Sequence, residues 1–301
     1  MPLRPLTMGD MFNGSLQTMR RNPGATIGMG LIVLAIFLVP SLLISLGINT
    51  LVGVAVDDKA ALSTLVNLVF SGLASIALTG MIVYVVSEAV LGDRVDLART
   101  WQAVRGRLPA LIGAVLLIAV IYLGIVIGFV LLLAALLVAG DQGMAVPAII
   151  LSVVAMLGLL VLLLWVGCRL SLAPAPVVLE KAGPWRAIGR VWSLTKGAQA
   201  WRIVGITMLA AVVTSLFTGL VQLPVTGFLF FALDGMVGGL DSTHPLLTVT
   251  DHLVQLVVQA FVIPFTAGLT ALLYLDQRIR REGLDIILFR AAQARTSPPQ
   301  R

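Results

Sequence analysis

Long runs of apolar residues divide this 301-residue chain. A helix needs about 20 apolar residues to cross the roughly 30 Å hydrocarbon core of a bilayer. Six runs meet that length, at residues 25–48, 61–91, 109–139, 145–175, 203–233 and 246–275. With 59% hydrophobic and 11% charged residues, the chain has no polar stretch that would fold as a separate soluble domain. The sequence predicts an all-α, polytopic membrane protein with six transmembrane helices in a single integral membrane domain, residues 1–301.

Basic residues are concentrated in every second segment between these runs. Lys and Arg lie in segments 1–24, 92–108, 176–202 and 276–301, apart from Lys59 and Arg169. The other loops, at 49–60, 140–144 and 234–245, carry aspartates. Cytoplasmic loops of membrane proteins are rich in Lys and Arg, so both termini are predicted to be cytoplasmic. The basic residues flank membrane spans and form no aromatic-interleaved patch of the nucleic-acid type, so we expect no nucleic-acid partner.

A short amphipathic segment precedes each odd-numbered span, near residues 7–21, 95–107 and 184–197. The second and third match at a single offset, with Leu97, Arg99 and Trp101 aligned on Ile188, Arg190 and Trp192. We interpret the chain as a three-fold repeat of interfacial helix plus transmembrane hairpin. The alternative is that basic inner loops match by coincidence. Basic residues of these segments are predicted to contact anionic lipid headgroups. They are Arg20, Arg21, Arg99, Arg105, Arg107, Arg190 and Lys196.

An acidic residue stands where each even-numbered span reaches the predicted cytoplasmic side. A carboxylate at the membrane edge is costly unless it is paired, so we expect ion pairs with nearby arginines. The predicted pairs are Glu88 with Arg94, Glu180 with Arg186, Asp276 with Arg280, and Arg169 with Glu88 or Glu180. Arg169 has the alternative of extending to the interface, and the acids have the alternative of relaying protons. The spacing of Arg278–Glu282 and Arg281–Asp285 predicts that the last helix continues beyond the membrane.

Two spans carry polar residues within their apolar sequence. The second has small or polar side chains at every fourth position, namely Ser63, Asn67, Ser71, Ser75 and Thr79. This stripe predicts close helix packing, with a polar conduit around Asn67 as the alternative. The fifth span is interrupted at Gln222 and Pro224, which predicts either a helix broken around a substrate, as in transporters, or a simple proline kink.

Residues with catalytic chemistry are few. The two histidines, His244 and His252, lie near Asp241 and Asp251 without a standard metal-ligand spacing, so we expect them in a solvated loop. The sequence places no serine and histidine at matching depth and no histidine and arginine in a phosphate-binding cluster. We therefore predict that the protein is not an enzyme and needs neither cofactor nor metal.

Three stretches, "LRPLTMGDMFNGSLQTMRRNP", "LAPAPVVLEKAGPWRAIGRVWSLTKGAQAWRIVG" and "LLYLDQRIRREGLD", carry a family resemblance. The chain resembles the membrane-domain family of bacterial glycerophosphoryl diester phosphodiesterases. The resemblance implies a multi-pass, all-helical domain of the bacterial plasma (inner) membrane, acting beside other membrane and ATPase components. In that family the phosphodiesterase activity belongs to a separate barrel domain with acidic and histidine metal ligands. These 301 residues contain no such barrel, so we expect no phosphodiesterase activity from them.

The sequence thus predicts a non-enzymatic membrane protein that organises lipid or partner proteins at the cytoplasmic leaflet. Its expected partners are membrane lipids, together with other membrane proteins or further copies of the chain. Two alternatives remain open at this point. One is a transporter or lipid translocator with a broken fifth helix, and the other is an accessory subunit of a larger membrane complex.

Overall fold

The computed structural model describes residues 6–51, 55–90, 97–139, 145–238 and 244–282. Within these ranges the regular structure is entirely helical. The α-helices are α1 (Met8–Arg21), α2 (Met29–Asn49), α3 (Val56–Val90), α4 (Leu97–Arg105), α5 (Leu108–Ala139), α6 (Ala145–Leu170), α7 (Pro174–Leu179), α8 (Pro184–Leu194), α9 (Ala198–Val237) and α10 (Pro245–Glu282). A π-helical turn, Gly24–Gly28, joins α1 to α2 just after Pro23.

Six stretches of the described chain are long and apolar enough to cross a membrane. They are Gly24–Asn49, Val56–Glu88, Leu108–Val138, Val146–Leu179, Ala200–Gly235 and Pro245–Glu282. The predicted all-α class with six membrane-crossing helices is therefore confirmed. The fourth stretch differs in detail from a single straight span, because α6 ends at Leu170 and the chain continues, after a turn, as the short buried helix α7.

The order of elements repeats three times along the described chain: a short helix followed by two long ones. These groups are α1–α2–α3, α4–α5–α6 and α8–α9–α10, with α7 inserted before the third. The short helices fall on the predicted amphipathic segments. A capping box starts α1, since Thr7 Oγ1 accepts from Asp10 N and Asp10 accepts from Thr7 N. Pro184 occupies the first turn of α8, where a missing N–H costs nothing.

The packed core forms around α3 and α10, which bury half or more of their most apolar stretches. The helix α10 contacts α1, α2, α3 and α9, whereas α5 buries none of its most apolar stretch. The exposed leucines and valines of α5, α6 and α9 suit a lipid environment, because polar solvent would disfavour such large apolar faces. The first hairpin and α10 are thus the rigid centre, and the second hairpin lies at the periphery.

Close helix approach in this centre depends on glycine. A side chain at Gly30 would meet the carbonyl oxygen of Ala260 at 3.4 Å, and one at Gly268 would meet Ser15 Oγ at 2.6 Å. Small residues at such crossings let membrane helices approach closely. The Ser15 hydroxyl uses this proximity to donate to the carbonyl of Phe265 at 2.7 Å.

The amphipathic face of α1 is covered by protein. Met11 is fully buried, and the rings of Phe12 and Phe265 meet edge to face with centroids 5.8 Å apart. The sequence correctly predicts this helix, but its apolar face packs largely on α10 because Gly268 allows close contact there. The helices α1, α4 and α8 lie at the same end of the bundle, called the basic end below.

Candidate functional site

A buried carboxylate, Asp276 of α10, organises the first side-chain cluster at the basic end. Its oxygens accept from the backbone N–H of Leu6 at 2.8 Å and from Arg280 Nε at 2.9 and 3.1 Å. Arg202 of α9 donates to the same carboxylate and, at 2.8 Å, to the carbonyl of Leu6. Two arginines therefore compensate one fully buried charge, as burial of a carboxylate requires. We call Leu6, Arg202, Asp276 and Arg280 the N-terminal clamp.

The next residue of α10, Gln277, is also fully buried. Neither its side-chain nitrogen nor its side-chain oxygen has a hydrogen-bond partner among the residues that the structure describes. A buried amide without partners lowers stability, since it has lost its hydrogen bonds to water.

A second cluster, the Glu180 network, joins the end of α7 to α8 and α10. Glu180 receives bidentate hydrogen bonds from Arg190, at 2.9 and 3.2 Å, and a further one from the hydroxyl of Tyr274. Arg278 lies 3.5 Å from the same carboxylate. Glu282 closes the network, because it pairs with both Arg190 and Arg278.

The network changes the pKa of Glu180 and of Arg190, which both lie outside the membrane spans. Burial works to raise the pKa of Glu180, but hydrogen bonds from Arg190 and Tyr274 and the nearby positive charges outweigh it and hold that pKa below its usual value. The hydrogen bonds that Arg190 donates to Glu180 in turn raise the pKa of Arg190. The charged pair is therefore the stable state at neutral pH, which suits a structural connection between α7, α8 and α10 better than proton transfer.

Arg169, near the end of α6, binds the last turn of α8. Its Nε donates to Thr195 Oγ1 at 2.8 Å and its Nη2 to the carbonyl of Trp192 at 3.1 Å. The guanidinium lies 4.6 Å from the ring centroid of Trp165 and 3.8 Å from that of Trp192. A cation at a helix C-terminus in contact with two indole rings is stabilised by the helix dipole and by cation–π attraction.

The predicted ion pairs have mixed outcomes. The structure confirms Asp276 with Arg280 and Arg278 with Glu282. The prediction for Glu180 has the wrong partner: Arg190 and Arg278 bind it, and Arg186 is exposed, because α8 turns its inner face toward α10 at Arg190. The pairing of Arg169 with an acid is also wrong, since Thr195 and the Trp192 carbonyl receive its hydrogen bonds.

Two further pairings involve residues whose partners are not described. Arg94 and Asp285 lie outside the described residues, so the pairs of Glu88 with Arg94 and of Arg281 with Asp285 stay predictions. Glu88 itself is half-buried and makes no ion pair with any part of the chain that the structure describes. Arg281 donates to the backbone carbonyl of Lys196.

Most basic residues predicted to contact lipid are on the surface of the basic end. Exposed positions are Arg20, Arg21, Arg99, Arg105 and Lys196, and Arg107 is half-buried. Arg190 is the exception, because Glu180 and Glu282 hold its guanidinium inside the Glu180 network. The lipid contact predicted for Arg190 stays a prediction.

A groove of about 310 Å³ lies between α5 and α8, and Lys196 is the one of these basic residues that lines it. Its walls include Ile121 of α5 and the indoles of Trp185 and Trp192, with Lys196 at one end. Trp185 exposes 76% of its surface, which is unusual for so large an apolar side chain. Indoles next to a lysine, beside a membrane-crossing helix, are typical of a membrane–water interface.

The two polar positions predicted within the spans lie at separate sites. Asn67 donates to Gln255 Oε1 at 3.0 Å and lines a cavity of about 670 Å³ between α2, α3, α9 and α10. Gln222 lies on α9 beside a different, shallow cavity. The helix α9 runs without interruption through Pro224, so the predicted broken fifth helix is wrong. The predicted packing role does not account for the whole stripe on α3, because part of the stripe lines cavities. Ser63 lines the first cavity, and Ser75 lines another.

The sequence also assigns His252 wrongly to a solvated loop. It is buried in α10, where Nδ1 lies 2.8 Å from the carbonyl of Thr248 and Nε2 lies 3.4 Å from Ser41 Oγ. The helix begins at Pro245, a residue that favours the first turn, and the four-residue spacing of Thr248 and His252 is a helical signal. Among the described residues, no group of three or more His, Cys, Asp or Glu side chains is placed to hold a metal ion.

Arg202 is the functional-site residue that sequence reasoning missed. It stands near the start of α9, where it reads as another topology signal. The sequence does contain a signal that could have identified it. In two consecutive antiparallel helices, the start of the first and the end of the second lie at the same membrane edge. That relation places Arg202 level with Asp276.

Six membrane-crossing helices, with short helices at one end and lipid-suited outer faces, define a multi-pass α-helical membrane protein. A model of the family described as "Domain of unknown function (DUF7847)" matches residues 6–277. The chain belongs to this family, and the match includes both the N-terminal clamp residue Leu6 and Asp276. No curated protein and no solved structure matches it.

Proposed function

We propose that this protein is a non-enzymatic organiser of the bilayer that binds anionic lipid headgroups at its basic end. The groove between α5 and α8, with its two indoles and Lys196, is the observation that carries the proposal. An acyl chain suits the apolar wall, and a phosphate suits the lysine at its end. Exposed arginines on α4 and α8 add positive charge around it.

Arg169 and the Glu180 network support this role by holding the lipid-binding surface rigid. Arg169 and the Glu180 network fix α8 to α6, α7 and α10. A surface made of fixed helices binds with less loss of conformational entropy than a flexible one. On this proposal both termini lie in the cytoplasm of a bacterial cell and the groove faces the inner leaflet of the plasma membrane. Reporter fusions at each terminus test the orientation.

The lipid preference is measured by quenching of tryptophan fluorescence in reconstituted bilayers. The full chain is placed in bilayers of brominated phosphatidylglycerol or brominated phosphatidylcholine, where bromine quenches nearby indoles such as Trp185. We expect stronger quenching by the anionic lipid. Each basic side chain near the surface contributes roughly 1 kcal/mol to this attraction at low salt.

The test variant combines Arg99→Gln, Arg105→Gln, Arg186→Gln and Lys196→Gln, and the control is Lys59→Gln at the opposite end of the bundle. The combined variant should be quenched similarly by the two lipids, and the control should keep the wild-type preference. Equal quenching of the wild-type protein by both lipids would overturn the proposal.

The roles as an accessory subunit or a homo-oligomer, and the resemblance to the phosphodiesterase membrane domains, stay predictions. Co-purification from native membranes in mild detergent tests for partners. A stable complex that protects Trp185 from quenching would place a protein, instead of lipid, on the groove.

A further inference from the structure

The cavity of about 670 Å³ lies at the end of the bundle opposite the basic end. Its walls come from α2, α3, α9 and α10, and they are unusually polar for the interior of a membrane bundle. The volume is within the range of roughly 300 to 1,000 Å³ that is typical of pockets for small organic molecules. It is independent of the lipid-binding groove proposed above, because no residue lines both.

Two threonine hydroxyls on its walls donate their protons to the backbone. Thr64 Oγ1 donates to the carbonyl of Ala60 at 2.8 Å, and Thr248 Oγ1 to that of His244 at 3.3 Å. Each hydroxyl then presents only oxygen lone pairs to a guest, since a hydroxyl carries a single proton.

The amide groups are oriented in the same way. Asn49 Nδ2 donates to Thr248 Oγ1 at 3.1 Å, and Ser63 Oγ donates to Asn49 Oδ1 at 3.4 Å. Asn67 Nδ2 donates to Gln255 Oε1, while Asn67 Oδ1 is buried and receives no hydrogen bond from any described residue. The hydrogen bonds within the wall thus use several of its donors and leave the Asn67 oxygen as an unused acceptor.

Two further groups complete the acceptor surface. Ser45 is fully buried, lines the cavity, and has a hydroxyl oxygen with no hydrogen-bond partner in the described part of the chain. Asp251 also lines the cavity and forms no ion pair with any described residue. His252 adds no free acceptor to this set, because its Nδ1 lies 2.8 Å from the Thr248 carbonyl and its Nε2 lies 3.4 Å from Ser41 Oγ.

We propose that this cavity binds a small organic ammonium group that carries N–H donors. The Asp251 carboxylate neutralises its charge, and Asn67 Oδ1 and Ser45 Oγ accept its N–H bonds. A protonated primary amine matches this set because it supplies three donors and no acceptor. The amine is either a free solute or the headgroup of a lipid such as phosphatidylethanolamine.

Binding is measured as the rise in Tm of the purified full chain, since a ligand that binds only the folded state raises its stability. Ethanolammonium chloride is titrated against equal concentrations of sodium chloride and tetramethylammonium chloride. We expect a saturable rise with ethanolammonium alone, because tetramethylammonium has no N–H group. Short-chain phosphatidylethanolamine is compared with short-chain phosphatidylcholine in a second titration. If ethanolammonium saturates at the lower concentration, the ligand is a free amine. If phosphatidylethanolamine does, the ligand is a lipid headgroup.

Two variants test the assigned contacts. Asp251→Asn should weaken ethanolammonium binding about tenfold or more, as expected for loss of one charge-assisted hydrogen bond. Ser45→Ala should weaken binding while leaving the Tm of the empty protein unchanged or higher, because no protein group uses that hydroxyl. The matched control is Asp58→Asn, an exposed aspartate at the same end outside the cavity.

The proposal is overturned by any of three results. One is the absence of a Tm rise with either amine source, and another is an equal rise with sodium or tetramethylammonium. The third is binding that Asp251→Asn leaves at wild-type strength or that Asp58→Asn weakens equally.

Discussion

Asp276 accepts a hydrogen bond from the backbone N–H of Leu6, a residue 270 positions earlier in the chain. Arg202 reinforces the contact, because it binds both the Asp276 carboxylate and the Leu6 carbonyl. One buried carboxylate thereby ties the start of the chain to its last membrane helix. The first and third repeats of the element order are joined at this point.

Replacement of Asp276 by alanine should strongly destabilise the protein. Removing one partner of a buried ion pair costs about 3 to 5 kcal/mol, and here Arg202 and Arg280 would both lose their counterion. The measurement is the Tm of the purified protein, with hydrogen exchange at the Leu6 amide as a local readout. Asp276→Asn keeps an acceptor and should have a smaller effect. Wild-type exchange at Leu6 in the alanine variant would show that the clamp does not hold the N-terminus.

Replacement of the neighbouring Gln277 by methionine should raise the Tm. Methionine has a similar size, and the change removes a buried amide whose atoms have no partner. The expected gain is about 1 to 3 kcal/mol, the cost of burying an unsatisfied polar group. Gln255→Met is the contrasting variant, since its Oε1 accepts from Asn67, and it should lower the Tm. A decrease for Gln277→Met would reveal a polar interaction that this geometry does not include.

Gly268→Ala should separate α1 from α10. Its new methyl group would lie 2.6 Å from Ser15 Oγ, so the hydroxyl must move away from the Phe265 carbonyl. Overpacking of this kind costs about 1 to 3 kcal/mol. The second change Ser15→Ala removes the clashing atom and should restore part of the Tm. Gly219→Ala, with no atom within 4 Å, serves as the control and should be neutral or stabilising.

The helical class and the spans could be predicted because hydropathy and length alone determine whether a segment can cross a bilayer. The short helices were equally accessible, since α4 and α8 follow the period of an amphipathic helix. The four-residue spacing of Asp276 and Arg280 also predicted their ion pair, which is a contact between successive turns of one helix. These features depend on the local sequence.

Contacts between helices could not be predicted in the same way. The choice of Arg190 over Arg186 as partner for Glu180 depends on the rotation of α8 about its axis, which packing against α5 and α10 sets. The packing of α10 on the apolar face of α1 similarly depends on the close approach of the two helices at Gly268. A single sequence contains no record of these rotations. The acids at the membrane edge were therefore predicted correctly, but the pairing of Glu180 with Arg186 and that of Arg169 with an acid were not.

Arg169→Lys should lower stability although it keeps the positive charge. Lysine has a single ammonium group, which cannot contact both Trp165 and Trp192 while also donating to Thr195 and the Trp192 carbonyl. The loss should be about 1 to 2 kcal/mol, measured as Tm, with a change in the near-ultraviolet circular dichroism of the two indoles. Arg186→Lys, at an exposed position of α8, should change neither. An unaltered indole signal in Arg169→Lys would argue against contact of the guanidinium with the two rings.

The Glu180 network should make stability depend on pH in a defined direction. The pKa of Glu180 is lowered in the folded protein from its ordinary 4.5, because hydrogen bonds from Arg190 and Tyr274 outweigh the effect of burial. A carboxyl with a lowered folded-state pKa stabilises the protein above its unfolded-state value, and this stability is lost as the pH falls through the folded-state pKa. The Tm of wild type should therefore exceed that of Glu180→Gln at pH 7, and the difference should shrink as the pH falls below 4.5. Glu88→Gln, which removes a carboxylate with no described ion pair, should match wild type at pH 7. A difference for Glu180→Gln that stays constant down to low pH would mean that the ionised carboxylate is not what holds α7, α8 and α10 together.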